Sequence, residues 1–348
     1  MDVRLSPEQV ALRDAAAQVV DRLGVHGVAE LDDRERAMKL DAAVDASGWR
    51  ELRSATEDGA TPWASAVEVA VVSEELGRGL VDAPFLGATL AAELRRLAGA
   101  PPATEPETVA LRQDLGELVM VADDGLRASA LAPDASAASS ALVLVDGTDG
   151  CTLGVVPLEV AVTGIDLTRP VGPVRASGTV TAVDGQTRPL GPDELAAWRS
   201  LGLATTSADL VGVMRGALAI TTDYARERRQ YGAAIGSFQA VQHLLADAYV
   251  AIEGSRSIAL HAAWAVDALP GPAALAAASA AKAYCARSAR SVCETAIQVH
   301  GGIGNTWECL AHVFLRRALL SSDVLGGVGP NLARVLAARG VGVDDGLR

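Results

Sequence analysis

With 348 residues, half of them hydrophobic and only 3% aromatic, the chain is long enough for more than one domain and favours close helix packing over an aromatic-rich sandwich. A formal net charge of −13 removes any general attraction for nucleic acid or an anionic membrane, so an anionic ligand needs a local cationic patch. Cys151, Cys285, Cys293 and Cys309 have no metal-ligand spacing, apolar runs stop short of about 20 residues, and Met1-Asp2-Val3-Arg4-Leu5 is no basic-then-apolar leader; the expectation is a soluble, cytoplasmic protein with reduced thiols and no metal.

In chain order, Ser6-Pro7-Glu8-Gln9 supplies an N-cap, a proline at the first helical position and a first-turn acid. Val10, Leu12, Ala15, Val19 and Leu23 follow near helical spacing, which predicts a first helix. Further helical patterns cover 36–54, 63–79 and 84–98, and Pro101-Pro102 closes an N-terminal helical domain over 1–102. Residues 103–190 read as a reduced middle β domain. Its runs, such as Ala141 to Val145 and Gly154 to Leu158, are separated by Asp-Gly turn signals at Asp124, Asp146 and Asp184. After Gly191-Pro192-Asp193 helices return, broken at Tyr231-Gly232, Pro270-Gly271-Pro272, Gly301 to Asn305 and Gly326-Gly327. Residues 191–348 are therefore expected to form a bundle of about four long helices plus a short tail helix. The fold class is mainly α with a small β domain.

Two separated motifs carry the chemistry. Arg226-Glu227-Arg228-Arg229-Gln230-Tyr231-Gly232 runs on to Phe238-Gln239-Ala240-Val241-Gln242-His243, and Gln298-Val299-His300-Gly301-Gly302-Ile303-Gly304 follows some sixty residues later. A dinucleotide diphosphate needs a guanidinium for charge-assisted contacts, and backbone brought close where no Cβ intrudes. Arg228 and Gly301-Gly302 suit those two roles. The alternatives are a solvated helix end for Arg226 to Arg229, an ordinary turn for the glycines and core packing for Phe238. His243 and His300 lack partners at ligand spacing and read as structural.

Together these segments resemble the flavin-nucleotide grip of the acyl-CoA dehydrogenases, and the order of helical domain, β domain and helical bundle is similar to theirs over essentially the whole chain. The resemblance implies FAD as cofactor, α,β-dehydrogenation of an acyl-CoA thioester and electron-transfer flavoprotein as acceptor. It also implies a tetramer built on the bundle, in which the ADP part of each flavin is held by a neighbouring subunit. By position in the motif, Arg228 matches the pyrophosphate-binding arginine and Tyr231 its aromatic neighbour. Phe238 and Gln239 match a pair that contacts the nucleotide, and Gln298, Gly301 and Gly302 match the residues that hold the ADP part.

The catalytic base is where the chain departs. Removing an α-proton while the β-hydrogen leaves as hydride requires a carboxylate in a dry site. The family's glutamate, just before a glycine and shortly after the segment matching Leu315-Arg316-Arg317-Ala318, falls here on Leu325, followed by Gly326-Gly327. The alternative glutamate position in some members falls at or near Gly202. Asp323 is the nearest carboxylate to the first position and Asp209 to the second; both read as solvated acids, and Glu308 is expected in a helix's first turn. The family's Thr-Glu-Pro-x-x-Gly-Ser-Asp loop is also broken: Thr104-Glu105-Pro106 is followed by Glu107-Thr108-Val109. No Trp stands between Trp63 and Trp198, where the family's ring-cradling strand belongs. The catalytic residue is thus unassigned, with Asp323 the remaining candidate. The chain resembles the short subunit of actinobacterial sterol side-chain dehydrogenases, which implies a heterotetramer with a second, catalytic subunit. A self-sufficient homotetramer with a displaced carboxylate and a flavin-free assembly subunit are the other readings.

Overall fold

A computed structural model describes residues 4–121, 129–158, 164–174 and 179–341. α1 (Pro7–Leu23) starts at Ser6, whose hydroxyl accepts from the Gln9 amide while the Gln9 side chain accepts from the Ser6 amide, a reciprocal cap. α2 (Arg34–Ala46) ends sooner than the spacing over 36–54 implies. Gly48 turns the backbone left-handed at φ 64°, and a 3-10 turn, Trp49–Glu51, buries Trp49 instead. α3 (Ala66–Arg78) and α4 (Leu86–Ala98) follow, α4 stopping on Gly99 at φ 61°.

The β region holds eight short strands among the described residues: β1 (Glu107–Val109), β2 (Leu111–Arg112), β3 (Met120–Val121), β4 (Ala130–Pro133), β5 (Ser140–Val145), β6 (Thr152–Pro157), β7 (Val171–Val174) and β8 (Thr181–Ala182). β5 is parallel to β1 and β3 and antiparallel to β6, which pairs with β8; β4 lies between β2 and β7 in a second sheet. Alternate apolar residues of the two sheets, among them Ala132, Ala141, Val143, Val156 and Val174, meet in one core. The turn signals at Asp146 and Asp184 follow β5 and β8, while Asp124 lies outside the described residues.

The bundle is built from α5 (Pro192–Glu227), α6 (Gln239–Ala268), α7 (Gly271–His300) and α8 (Ala311–Asp323), with α9 (Val328–Ala338) as the short tail. α8 has 13 residues against 36 for α5, so the fourth bundle helix is much shorter than the other three. A hairpin of β9 (Arg229–Gln230) and β10 (Ala233–Ala234) joins α5 to α6. Its two-residue turn, Tyr231-Gly232, has φ 51° and 80°, the pair of positive values a type I′ turn needs.

α5 is the axis. Leu201 to Met214 is buried without interruption, as expected of a helix apolar on every side. It packs on α3, α6, α7 and α8. Among the described residues α5 is long and apolar enough to cross a membrane, yet 78% of its most apolar window is buried inside the fold. The crossing with α3 is so close that only glycine fits: a Cβ on Gly212 would stand 1.9 Å from the Glu74 carbonyl oxygen, and one on Gly216 2.3 Å from that of Arg78. Both obstacles are backbone, which relieves strain only by sliding a helix. Gly212→Ala is therefore expected to lower stability by about 1–3 kcal/mol in urea unfolding. An unchanged midpoint would contradict this crossing.

Candidate functional site: an open nucleotide edge and a closed base position

The residues read as nucleotide-binding gather at one end of the bundle. Tyr224, one turn before Arg228, stacks on His300, with ring centroids 4.4 Å apart and planes 21° from parallel, and its hydroxyl reaches the His300 carbonyl at 3.5 Å. This contact sets the last turn of α5 beside the last turn of α7, so Arg228 and the Gly301-Gly302 turn share one end. His300 is structural, its Nδ1–H donating to the Ala296 carbonyl at 2.8 Å. Tyr231 and Phe238 meet edge to face at 6.4 Å, closing the hairpin onto the start of α6.

This edge faces outward. Arg228, Tyr231, Phe238, Gln239, Gln298, Gly301 and Gly302 are all exposed, Tyr231 at 96%. Among the described residues Arg228 has no side-chain ion pair, whereas neighbouring Arg226 is paired with Asp223 at 3.2 Å. Gly301 needs to be glycine for its φ of 67°, but Gly302 has no such need, and a Cβ on either would meet nothing within 4 Å. Nothing inside the chain explains a bare backbone at 302. Close approach of something from outside does, and a diphosphate has the charge and size to use it together with a free guanidinium.

The base position is the opposite case. Leu325 is fully buried in the left-handed conformation at φ 61°, held by a hydrogen bond from its amide to the Leu115 carbonyl at 2.8 Å. Its Cδ1 lies 2.2 Å from where a Cβ on Gly202 would stand, and Leu90 Cδ2 lies 3.1 Å from the same point. The two positions expected to carry a carboxylate thus touch one another, and leucine fills the space that glycine leaves. Asp323 sits exposed at the end of α8, away from this contact.

Asp209 corrects the reading of a solvated acid: it is buried at the centre of an ion cluster. Its Oδ1 accepts from Arg317 Nη2 at 2.6 Å and Arg169 Nη2 at 3.2 Å, and its Oδ2 from the Ser321 hydroxyl at 2.6 Å. Burial alone would raise its pKa, but the two guanidiniums hold it well below the usual carboxylate range. Arg317 also donates to the Val81 carbonyl and to Thr168, and Arg169 pairs with Asp134. Lys282 completes the cluster from α7, donating to Thr206 Oγ1 at 3.0 Å and to the Ser321 carbonyl; burial pushes its pKa down to about 7. A signal for this was available, since Asp209 and Lys282 are lone charges in otherwise uncharged stretches of helix, and Arg317 shares a face with Val313 and Phe314.

Two further expectations change. Glu308 lies exposed in the turn ahead of α8, not in the helix's first turn. Thr104-Glu105-Pro106 precedes β1 and lines a groove of about 640 Å³ with Met38, Pro84 and Ala88, which shares no residue with the Gly202–Leu325 contact. β4, beside that region, presents alanine, leucine and proline and no aromatic or hydroxyl. Among the described residues the exposed edge suits the ADP half of a flavin dinucleotide, and β4 offers its ring no aromatic or hydroxyl side chain. Among the described residues no group of three His, Cys, Asp or Glu side chains could hold a metal ion.

Residues 202–339 match the sequence pattern of the family described as Acyl-CoA dehydrogenase, C-terminal domain. Acyl-CoA dehydrogenase IpdE2 of Mycobacterium tuberculosis is 32% identical over 311 residues, covering 83% of this chain and 85% of that protein. Its counterpart from Mycolicibacterium smegmatis is 29% identical over 96% of this chain and 99% of its own length. Among solved structures, the ChsE4-ChsE5 complex from Mycobacterium tuberculosis superposes with a TM-score of 0.76 at 25% identity, covering 98% of this chain and 99% of that one. A variant of the Tcur3481-Tcur3483 steroid ACAD superposes with a TM-score of 0.80 at 24% identity, over 96% and 98%, and at that identity shares the fold.

The buried lysine gives a pH test. Its folded pKa lies below the ordinary lysine value, so the penalty for burying its charge is present in full below about pH 7 and is relieved as pH rises from there toward 10. Lys282→Met is expected to raise the melting temperature at pH 6, with an advantage over the parent that narrows between pH 7 and 10. A difference constant across that range would show that Lys282 does not titrate inside the fold.

Proposed function

The chain belongs to the acyl-CoA dehydrogenase family, and from that premise we propose that it serves as one subunit of a two-chain, FAD-dependent enzyme. It lends the ADP-binding edge, while a partner subunit supplies the surface for the flavin ring and the carboxylate base. In the family's reaction the flavin accepts the β-hydrogen as hydride as a carboxylate takes the α-proton. The residues here supply charge, bare backbone and an aromatic border for the nucleotide, and no base.

The observation that carries this reading is the base position, where Leu325 fills the space above Gly202 and no carboxylate stands. Gly202 and Arg228 lie 26 residues apart along α5, which at 1.5 Å per residue is about 39 Å. No single dinucleotide bridges that span, so the edge at Arg228 suits a flavin of another subunit, and the missing base makes that subunit a different chain. Two-chain names among the structural neighbours, ChsE4-ChsE5 and the Tcur3481-Tcur3483 steroid ACAD, support a heteromeric assembly and a steroid-type acyl-CoA as the substrate class. Electron-transfer flavoprotein is the acceptor that the family's chemistry assigns.

Co-expression with the partner tests it. The lone chain is expected to purify colourless and without acyl-CoA dehydrogenation, and the complex yellow and active. Within the complex, Arg228→Ala should weaken flavin retention by about 1.5–3 kcal/mol, roughly 10- to 150-fold, read as FAD lost on dialysis. A lone chain that holds FAD and turns over substrate, with Asp323→Asn abolishing turnover, would overturn the division of labour. Unaltered flavin in Arg228→Ala would leave the chain a flavin-free scaffold.

A further inference from the structure

Trp307 stands out at the nucleotide end. It stands two residues past the 3-10 turn Gly301–Asn305 and is 62% exposed, yet its ring is held by two residues of α8. The His312 ring meets it edge to face, with centroids 4.9 Å apart and planes at 85°, and the Arg316 guanidinium carbon lies 5.9 Å from its centre. Holding it there has a cost. His312 is more than nine-tenths buried, and its Nε2 has no hydrogen-bond partner. Burial, together with the charge of Arg316, holds the His312 pKa below its ordinary value, so the ring meets the indole neutral at pH 7. An unsatisfied buried nitrogen is destabilising, and an exposed indole gains little from burial in return. Packing within the chain explains neither.

Resting on the reading that Arg228 and Gly301-Gly302 take a dinucleotide diphosphate, we propose that Trp307 is a fixed stacking platform for the adenine of that dinucleotide. The spacing suits it. A 3-10 turn rises about 2 Å per residue, so Gly302 to Asn305 covers about 6 Å, and the extended chain at Thr306 carries Trp307 up to about 7 Å further, on the order of one nucleoside beyond the diphosphate. An aromatic plane recognises the flat base by stacking and needs no hydrogen-bond readout. Arg316, drawn to the indole, keeps that plane from rotating away. The platform would give the subunit a hold on the adenosine end that is independent of Arg228.

The test is titration of the full-length chain, nitrogen-15-labelled, with ADP, adenosine and inorganic pyrophosphate in turn, followed by NMR. The Trp307 indole signal, identified by its loss in Trp307→Phe, is expected to shift with ADP and adenosine and not with pyrophosphate. The signal of the equally exposed Trp63 should stay still. Trp307→Leu should lower ADP affinity about tenfold and Trp307→Phe by less than about threefold, whereas Arg228→Ala should weaken ADP and leave adenosine unchanged. ADP that moves the Gly301 and Gly302 amides but not the indole, with Trp307→Leu binding as the parent does, overturns the platform and leaves the diphosphate reading standing. ADP that moves neither overturns both. If Trp307→Leu loses the partner subunit while ADP binding holds, the indole is a subunit contact and the proposal fails.

Discussion

The carboxylate of Asp209 ties the three regions of this chain to one another. From the middle of α5 it receives Arg317 and Ser321 from α8 and Arg169 from the β region. Arg317 reaches on to the Val81 carbonyl between α3 and α4, and Arg169 to Asp134, whose other oxygen accepts from the Phe85 and Gly87 amides at the start of α4. A buried charge is tolerated only when its partners satisfy it, and removing one of the two guanidiniums that neutralise Asp209 costs about 3–5 kcal/mol. The cluster therefore adds less to net stability than to registration. With Arg317 and Ser321 fixed, the chain leaving α8 has one place to go, and Leu325 arrives over Gly202.

α5 then sets the division between what this chain does and what it leaves to another. Through its first two thirds the helix is sealed: Leu325 fills the space above Gly202, and further along Gly212 and Gly216 let α3 approach to backbone distance. At its far end it opens into a hairpin with a free guanidinium, exposed aromatic rings and a bare glycine turn. At Gly202 the sealed part is apolar, the environment a proton-abstracting carboxylate would need, but Leu325 takes the space there, and the buried carboxylate further along the helix, Asp209, is engaged by Arg317 and Arg169. The left-handed backbone at Leu325, unusual for a branched side chain, persists there although the residue has no acid to position. Two ends of one rigid rod cannot serve the same small molecule, and that separation is why the proposed function assigns the open end to another subunit's cofactor.

Much of this was legible in the residues, for identifiable reasons. The cap at Ser6 and Pro192 at the first position of α5 act through local hydrogen bonds and φ restrictions, which a sequence states directly. The break at Tyr231-Gly232 was legible as a break, but the hairpin of β9 and β10 that makes it was not. The early end of α2 was not legible, because burial of Trp49 by α4 and α3 outweighed an apolar spacing that continued to residue 54. Asp209 was misread for a related reason: a carboxylate reads as solvated until the arginines that neutralise it, 40 and 108 residues away in sequence, are seen beside it. The positions of Gly202 and Leu325 could be named from the motif, but their contact is a property of the tertiary fold alone. So is the support of Trp307 by His312, which the eleven residues from Gly302 to His312 did not suggest.

In the proposed assembly this chain holds only the nucleotide end of a flavin whose ring lies on a different subunit. The decisive experiment is to count flavin against protein in the complex isolated with its partner. One FAD for every two chains is expected, with the ring site on the partner and no flavin retained by this chain alone. One FAD for every chain would mean that a ring fits beside Leu325 after all and would overturn the division between the two subunits.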